Sequence, residues 1–270
     1  MEGKVFLCPT PIGNLEDITL RTLRVLKEAD VILAEDTRHS LLLLKHYEIE
    51  TPLESYHKFN ENEKIASILE RLETGTNFAL ITDAGMPGVS DPGAVLLSAL
   101  LKEGKSYEVL PGACAHVTAA AIANIKDGRY LFWGFLPHKR SARLKTLEAL
   151  KEEAVPVLFY EAPHRITKFA EDVLAALGNR NLILIREISK FYEERIETTA
   201  ADFLREIDSY TVKGEFSVLL MPQAKDDDVD ILSALQEKVE EGISPSKAAK
   251  LVAKEWNLPK NLVYKESLKL

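Results

Sequence analysis

The sequence predicts an α/β protein: two successive strand-and-helix units followed by a short all-helical tail. Short apolar runs of strand length alternate with helix-period segments as far as residue 221. Polar or Gly/Pro-containing clusters follow nearly every run, and the acidic stretch Asp226-Asp227-Asp228-Val229-Asp230 precedes a purely helical pattern. Such alternation implies a largely parallel sheet covered by helices. A hydrophobic fraction of 46% supplies real cores, and 270 residues accommodate two domains of ordinary size.

In the first unit, apolar runs place strands at residues 5–8, 31–34, 53–56, 78–81 and 107–110, with helices at 20–28, 41–46, 63–72 and 94–102 between them. Asn60-Glu61-Asn62-Glu63 resembles a capping box for the third helix. Asp91-Pro92 fits an N-cap followed by a first-turn proline for the fourth. A further helix at 117–123 leads to the polar turn Ile125-Lys126-Asp127-Gly128, which ends the unit and sets domains at 1–125, 126–224 and 225–270. The second unit has strands at 130–134, 155–160, 182–186, 195–199 and 216–221, with antiparallel pairing expected at its edges, and helices at 143–151, 166–177 and 201–207. In the tail Ser244-Pro245 starts a helix, Asn257-Leu258-Pro259 interrupts it and residues 261–270 form another, a small helix-turn-helix.

Several chemistries are set aside. Neither G-x-G-x-x-G nor G-x-x-x-x-G-K-[ST] occurs, so the usual dinucleotide and nucleotide phosphate cradles are missing. The six histidines never fall at a metal-binding spacing. Gly88-Val89-Ser90-Asp91-Pro92 misses the nucleophile elbow because proline replaces the glycine that lets helix and strand approach. Cys8 and Cys114 are read as free, buried thiols. No apolar run reaches membrane length and residues 1–8 lack signal-peptide architecture, so a cytoplasmic protein is expected. The net charge of −8 argues against general polyanion binding, though not against a local basic cleft.

What remains is concentrated at strand ends, the edge where open α/β sheets bind ligands. The loop Thr82-Asp83-Ala84-Gly85-Met86-Pro87-Gly88-Val89-Ser90-Asp91-Pro92-Gly93 is longer than a plain connection needs, and its glycines leave main-chain groups uncovered by side chains. Pro9-Thr10-Pro11-Ile12-Gly13-Asn14-Leu15, Glu35-Asp36-Thr37-Arg38, Tyr160-Glu161-Ala162-Pro163-His164-Arg165 and Arg186-Glu187-Ile188-Ser189-Lys190 hold similar positions. One such cluster is an ordinary cap or turn; their recurrence points to a cleft between domains.

With Gly134-Phe135-Leu136-Pro137, these motifs run in order along essentially the whole chain and resemble those of the ribosomal RNA small subunit methyltransferase I family, within the tetrapyrrole methylase fold family. Two departures, Cys8 and the Ala113 of Pro111-Gly112-Ala113-Cys114-Ala115, remove no charged group. The resemblance implies two α/β domains of the tetrapyrrole methylase type, S-adenosyl-L-methionine in the interdomain cleft, a homodimer, no membrane association, and 2′-O-methylation of a cytidine in the decoding region of 16S rRNA within the 30S subunit. It assigns to the cofactor Pro11, Asp83, Ala84, Gly85, Met86, Val89, Ser90, Gly112, Cys114, Ala115, Tyr160, Glu161, Arg186, Glu215 and Phe216.

Methyl transfer from a sulfonium is in-line displacement, so the protein must mainly align two reactants and exclude water. A ribose hydroxyl is a poor nucleophile, so a proton acceptor or a cation beside it helps. The candidates are Glu35, Asp36, His57, Glu187 and Lys190. For RNA phosphates the candidates are Arg38, Lys139, Arg143 and Arg165, joined by Lys247, Lys250 and Lys254 on one face of a tail helix opposite Ala248, Ala249, Val252 and Trp256. Two other readings stand beside this one: a methylase acting on a small tetrapyrrole, and a non-catalytic RNA-binding or ribosome assembly protein. The helical tail and basic motifs disfavour the first; the glycine-rich loop disfavours the second.

Overall fold

The computed structural model describes residues 2–223, 231–255, 260–268 and 270. The acidic stretch 226–230, the interruption at 257–259 and Trp256 lie outside them. By packing, Met1–Pro222 forms one compact unit and Gln223–Leu270 another.

The larger unit begins with β1 (Val5–Leu7), α1 (Leu20–Glu28), β2 (Val31–Ala34), α2 (Thr37–His46), β3 (Leu53–Ser55), α3 (Glu61–Glu73), β4 (Phe78–Ile81), α4 (Ala94–Lys102), β5 (Tyr107–Val109) and α5 (Ala115–Ile122). Its first sheet has the order β3-β2-β4-β1-β5 and is parallel throughout. The central strands β2 and β4 are buried at every residue, as unbroken apolar runs require when helices cover both faces. Leu7 is in register with Leu80 and Ala34 with Ile81. The loops opening at Cys8, Glu35 and Thr82 therefore leave one sheet edge side by side.

The second sheet comprises β6 (Leu131–Phe135), β7 (Val157–Glu161), β8 (Asn181–Arg186), β9 (Glu194–Thr199) and β10 (Phe216–Leu220), with α6 (Arg140–Ala149), α7 (Ile166–Leu177) and α8 (Ala200–Arg205) between strands. Its order is β6-β7-β10-β8-β9. Only β6 and β7 pair in parallel; the other three pairings are antiparallel, so the expected reversal is present at the β9 edge and extends through the middle of the sheet, while the β6 edge is parallel. The reason is β10, the last strand, which inserts between β7 and β8 instead of adding outside. Phe216 is consequently in register with both Glu161 and Arg186, and the start of β10 lies between the ends of β7 and β8. One face of this sheet packs on α6, α7 and α8; the other receives Ala119 and Ala123 at the end of α5, with Ile12 and Ile188.

Local chemistry differs from expectation at two caps. Asn60 precedes α3, but its side chain accepts from His57 N–H (2.8 Å) and makes no cap bond to the helix, so no capping box forms. The N-cap of α4 is Gly93, at φ 132°, not Asp91. Asp91 points its chemistry elsewhere: it lines a cavity.

Among the described residues the smaller unit contains three helices, α9 (Ile231–Glu240), α10 (Pro245–Glu255) and α11 (Lys260–Ser267), around Leu235, Ala248, Ala249, Val252 and Val263. The tail thus has one helix more than the helix-turn-helix expected. Lys247, Lys250 and Lys254 are exposed on α10 while its alanines and Val252 are buried.

Arg143, on the inner face of α6, is buried, its Nε 2.7 Å from Asp172 and its Nη1 donating to His138 O at 2.7 Å. Arg140 meets the other Asp172 oxygen at 2.9 Å. Removing a buried carboxylate strands the guanidinium it neutralised, which costs roughly 3–5 kcal/mol. Asp172→Ala should therefore lower the urea midpoint of the larger unit's unfolding by a corresponding amount, whereas Asp202→Ala, at a half-exposed carboxylate on α8, should shift it far less.

Candidate functional site

Where the two sheet edges meet, a cavity of about 320 Å³ is lined by residues from the loop after β4, the start of α5, the end of β7 and the start of β10. Ala84, Gly85, Met86, Val89, Ser90, Cys114, Ala115, Tyr160, Glu161, Glu215 and Phe216 all contribute to its wall. Stretches far apart in sequence converge because register places their strand ends together. Pro11 and Asp83 instead line a second cavity, which shares Ile12, Ala84 and Glu215 with the first.

Two assigned residues line neither cavity. Arg186 is 8% exposed and engaged with Glu194 at 3.0 Å, so it ties β8 to β9. Gly112 lies against Pro9: a Cβ there would come within 2.7 Å of that ring, making this a position where chain segments pass closely. The free-backbone expectation also narrows, because Gly85 exchanges both main-chain bonds with Thr10 at 3.0 Å and Gly88 N–H donates to Pro92 O.

Residues missed from the sequence complete the wall. Burial pushes the imidazole pKa of His116 down; the ring stacks on Phe132 at 4.1 Å and the backbone N–H donates to Tyr160 Oη at 2.8 Å. Its position directly after Ala115 was the only signal. Asp91 carries a carboxyl pushed up to about 6, by burial first and then by Glu35, Asp83 and Glu215. Burial also raises the pKa of Glu161, against the bond from Ala162 N–H and the Arg165 guanidinium. The N-terminus of α5, at Cys114, has no side-chain cap and opens on the same cavity. Cys114 is half-buried there, contrary to expectation, while Cys8 is fully buried in the first sheet with its thiol pushed up to about 12.

The five catalytic candidates separate into two groups. Asp36 caps α2, receiving Arg38 N–H at 2.9 Å and its guanidinium, which lower its pKa to about 2. Such a carboxylate is a weak base. Glu35 is half-buried and raised, by burial and then by Asp83, with His57 opposing. Of the five candidates Lys190 alone lines a cavity, the second, and its Nζ lies 2.9 Å from Glu187 and 3.0 Å from Glu215. Those carboxylates raise the Lys190 pKa against its burial, and Lys190 helps lower that of Glu187. Lys190 is thus held as a cation. Among phosphate candidates Arg38 and Lys139 are exposed, but Arg143 is buried on Asp172 and Arg165 is turned inward onto Glu161 (3.0 Å) and Leu136 O (2.9 Å). Neither inward arginine is available to RNA.

Residues 4–204 match the family model described as Tetrapyrrole (Corrin/Porphyrin) Methylases. The chain belongs to this family. It is 41% identical to a ribosomal RNA small subunit methyltransferase I from Haemophilus influenzae, over 99% of this chain and 97% of that one. A protein of the same name from Streptococcus pyogenes is 36% identical over 98% and 94%. The fold is shared with uroporphyrin-III C-methyltransferase of Thermus thermophilus, solved with S-adenosylhomocysteine: TM-score 0.55, 19% identity, 80% of this chain and 97% of that one. Among the described residues, no helix is long and apolar enough to cross a membrane and no cluster could hold a metal.

Two outcomes follow. A raised carboxyl pKa binds protons in the folded state that the unfolded chain has released, so Asp91 disfavours folding increasingly as pH climbs from its unfolded value through about 6. Thermal melts of Asp91→Asn against wild type should coincide below about pH 4 and show the variant more stable above about pH 7. Alkylation with iodoacetamide, read by peptide mass mapping, should label Cys114 and spare Cys8, with S-adenosylhomocysteine slowing the reaction at Cys114.

Proposed function

We propose that the protein transfers a methyl group from S-adenosyl-L-methionine to the ribose 2′-oxygen of a cytidine in the decoding region of 16S rRNA, acting on the 30S subunit as a homodimer. The carrying observation is length: methyltransferases of ribosomal RNA align with 98–99% of the chain, whereas the small-molecule methylase covers 80%. The unmatched fifth disfavours the tetrapyrrole reading. A silent assembly protein would have no need of the cavity.

The donor set fits the cofactor. Apolar and aromatic side chains at Ile12, Phe135, Ile188 and Phe216 suit an adenosine, Asp91 suits a cationic centre, and the uncapped N-terminus of α5 suits a carboxylate. When bound, the cofactor supplies an electrophilic methyl on a sulfonium. The chain's own part is alignment, exclusion of water and charge control. Lys190, cationic in the wall of the second cavity, stabilises negative charge developing on the acceptor oxygen. Among the carboxylate candidates Glu35, raised by burial and by Asp83 with His57 opposing, is a stronger base than Asp36 or Glu187 but lines neither cavity; Asp36 and Glu187 hold Arg38 and Lys190 in place.

On the RNA side the exposed Arg38, Lys139, Lys247, Lys250 and Lys254 remain for phosphate contact. Incubating unmodified 30S particles with labelled S-adenosylmethionine should place the label on a 16S ribose; label on a tetrapyrrole, or none, would overturn the reading. Changing Lys247, Lys250 and Lys254 together to glutamate should leave S-adenosylhomocysteine affinity unchanged while weakening particle binding and flattening its salt dependence, by up to about three phosphate contacts.

A further inference from the structure

The second cavity, also of about 320 Å³, contains an imbalance that the fold does not resolve. Ser40 on α2 and Thr82 at the end of β4 line it, 2% and 1% exposed, and neither side-chain hydroxyl has a hydrogen-bond partner. A buried hydroxyl without a partner forfeits its hydration and gains nothing in exchange. Serine at this helical position ordinarily bonds back to the carbonyl four residues earlier. Here the Asp36 carbonyl receives the Ser40 amide N–H at 3.0 Å, and the Ser40 hydroxyl takes no share of it. Thr82 is the first residue of the loop that walls the first cavity, and its backbone carbonyl, unlike its hydroxyl, is satisfied by Thr10 Oγ1 at 3.0 Å.

Two orphan hydroxyls, carried on neighbouring elements by residues in the wall of a space that also presents the Lys190 cation and the Asp83 carboxylate, make a polar seat rather than a packing defect, since each has no partner to hold it and is free to turn toward a bound molecule. The two cavities share Ile12, Ala84 and Glu215, so a molecule in the second abuts one in the first across a single layer of side chains. We infer that the second cavity seats the nucleoside that receives the methyl group, with the Ser40 and Thr82 hydroxyls hydrogen-bonding its polar edge and Lys190 beside the reacting oxygen. A flipped-out nucleotide is the ligand class that matches the geometry, being a flat polar body of this size delivered from a polymer that is too large to enter. This inference rests on the methyl-transfer reading above.

Affinity for a whole ribosomal particle comes from many remote contacts, so the local seat should register in the transfer step rather than in particle binding. The test compares wild type with Ser40→Ala and Thr82→Val in single-turnover methylation of unmodified 30S particles, beside S-adenosylhomocysteine titration and thermal melts. Each variant should lower the single-turnover rate about fivefold or more, the effect of losing one buried hydrogen bond to a bound group, with cofactor affinity unchanged. Melting temperatures of the free variants should hold or rise, because each removes an unsatisfied buried hydroxyl; a purely structural role would lower them. Unchanged rates in both variants would overturn the inference while leaving methyl transfer intact. So would a loss of cofactor affinity matching the loss of rate, which would make the second cavity part of the cofactor site. A wild-type protein that binds S-adenosylhomocysteine yet methylates no particle would overturn the underlying reading, and this inference with it.

Discussion

The site depends on how closely one loop of the first sheet approaches one loop of the second. At Gly13 there is no side chain, and a Cβ would fall 2.5 Å from Lys190 Cγ and 2.7 Å from the Ile188 carbonyl oxygen. That absence lets Ile12 bury against Ile188 in the core beneath the second sheet, and it brings Lys190 over the first sheet's loops. The Ser189 hydroxyl donates to Asp17 across the same seam. Any larger residue at Gly13 must part the loops, and both cavities share the Ile12 wall that would move.

The loop on the far side of this seam is strained. Glu187 and Ser189 adopt φ of 55° and 64°, in the left-handed region that residues with a Cβ rarely occupy. The conformation is held by bonds on every side: the Glu187 carboxylate accepts Glu215 N–H at 3.0 Å, Glu187 N–H donates to Glu215 O at 3.0 Å, and Ser189 N–H reaches Glu193 at 2.7 Å. Gly214 belongs to the same arrangement, since a Cβ there would collide with the Glu187 carboxylate at 2.4 Å. Strain here has a function: it turns Lys190 back toward the sheet edge, between two carboxylates that keep it charged.

Much of this was legible in the sequence, for identifiable reasons. Strands such as 78–81 and 31–34 are unbroken apolar runs, and buried parallel strands must be. The motif loops at strand ends were visible because glycine, proline and charged residues interrupt those runs. The interior pairing of β10 was hidden, since an apolar strand reads the same whether it lies at a sheet's edge or centre. Burial of arginines was hidden too: Arg143 and Arg165 look basic in the sequence, and only the placement of Asp172 and Glu161 beneath them shows that their charge is spent internally. Asp91 was misread because Asp-Pro is a common helix start, whereas Gly93 takes the positive φ that begins α4. The orphan hydroxyls of Ser40 and Thr82 have no signature at all in the residue order, because a missing partner is a property of three dimensions.

The central position of β10 has a consequence for synthesis of the chain. Every strand of the first sheet lies within residues 5–109, so that layer can assemble as soon as those residues leave the ribosome. The second sheet cannot: β7 and β8 have no direct partnership without Phe216–Leu220 between them, and their facing edges stay open until that segment emerges. A nascent chain halted before residue 216 would expose two apolar strand edges, the kind of surface that recruits chaperones or neighbouring chains. Glu215, which closes both cavities, is delivered by the same late segment, so no truncated intermediate owns a complete site.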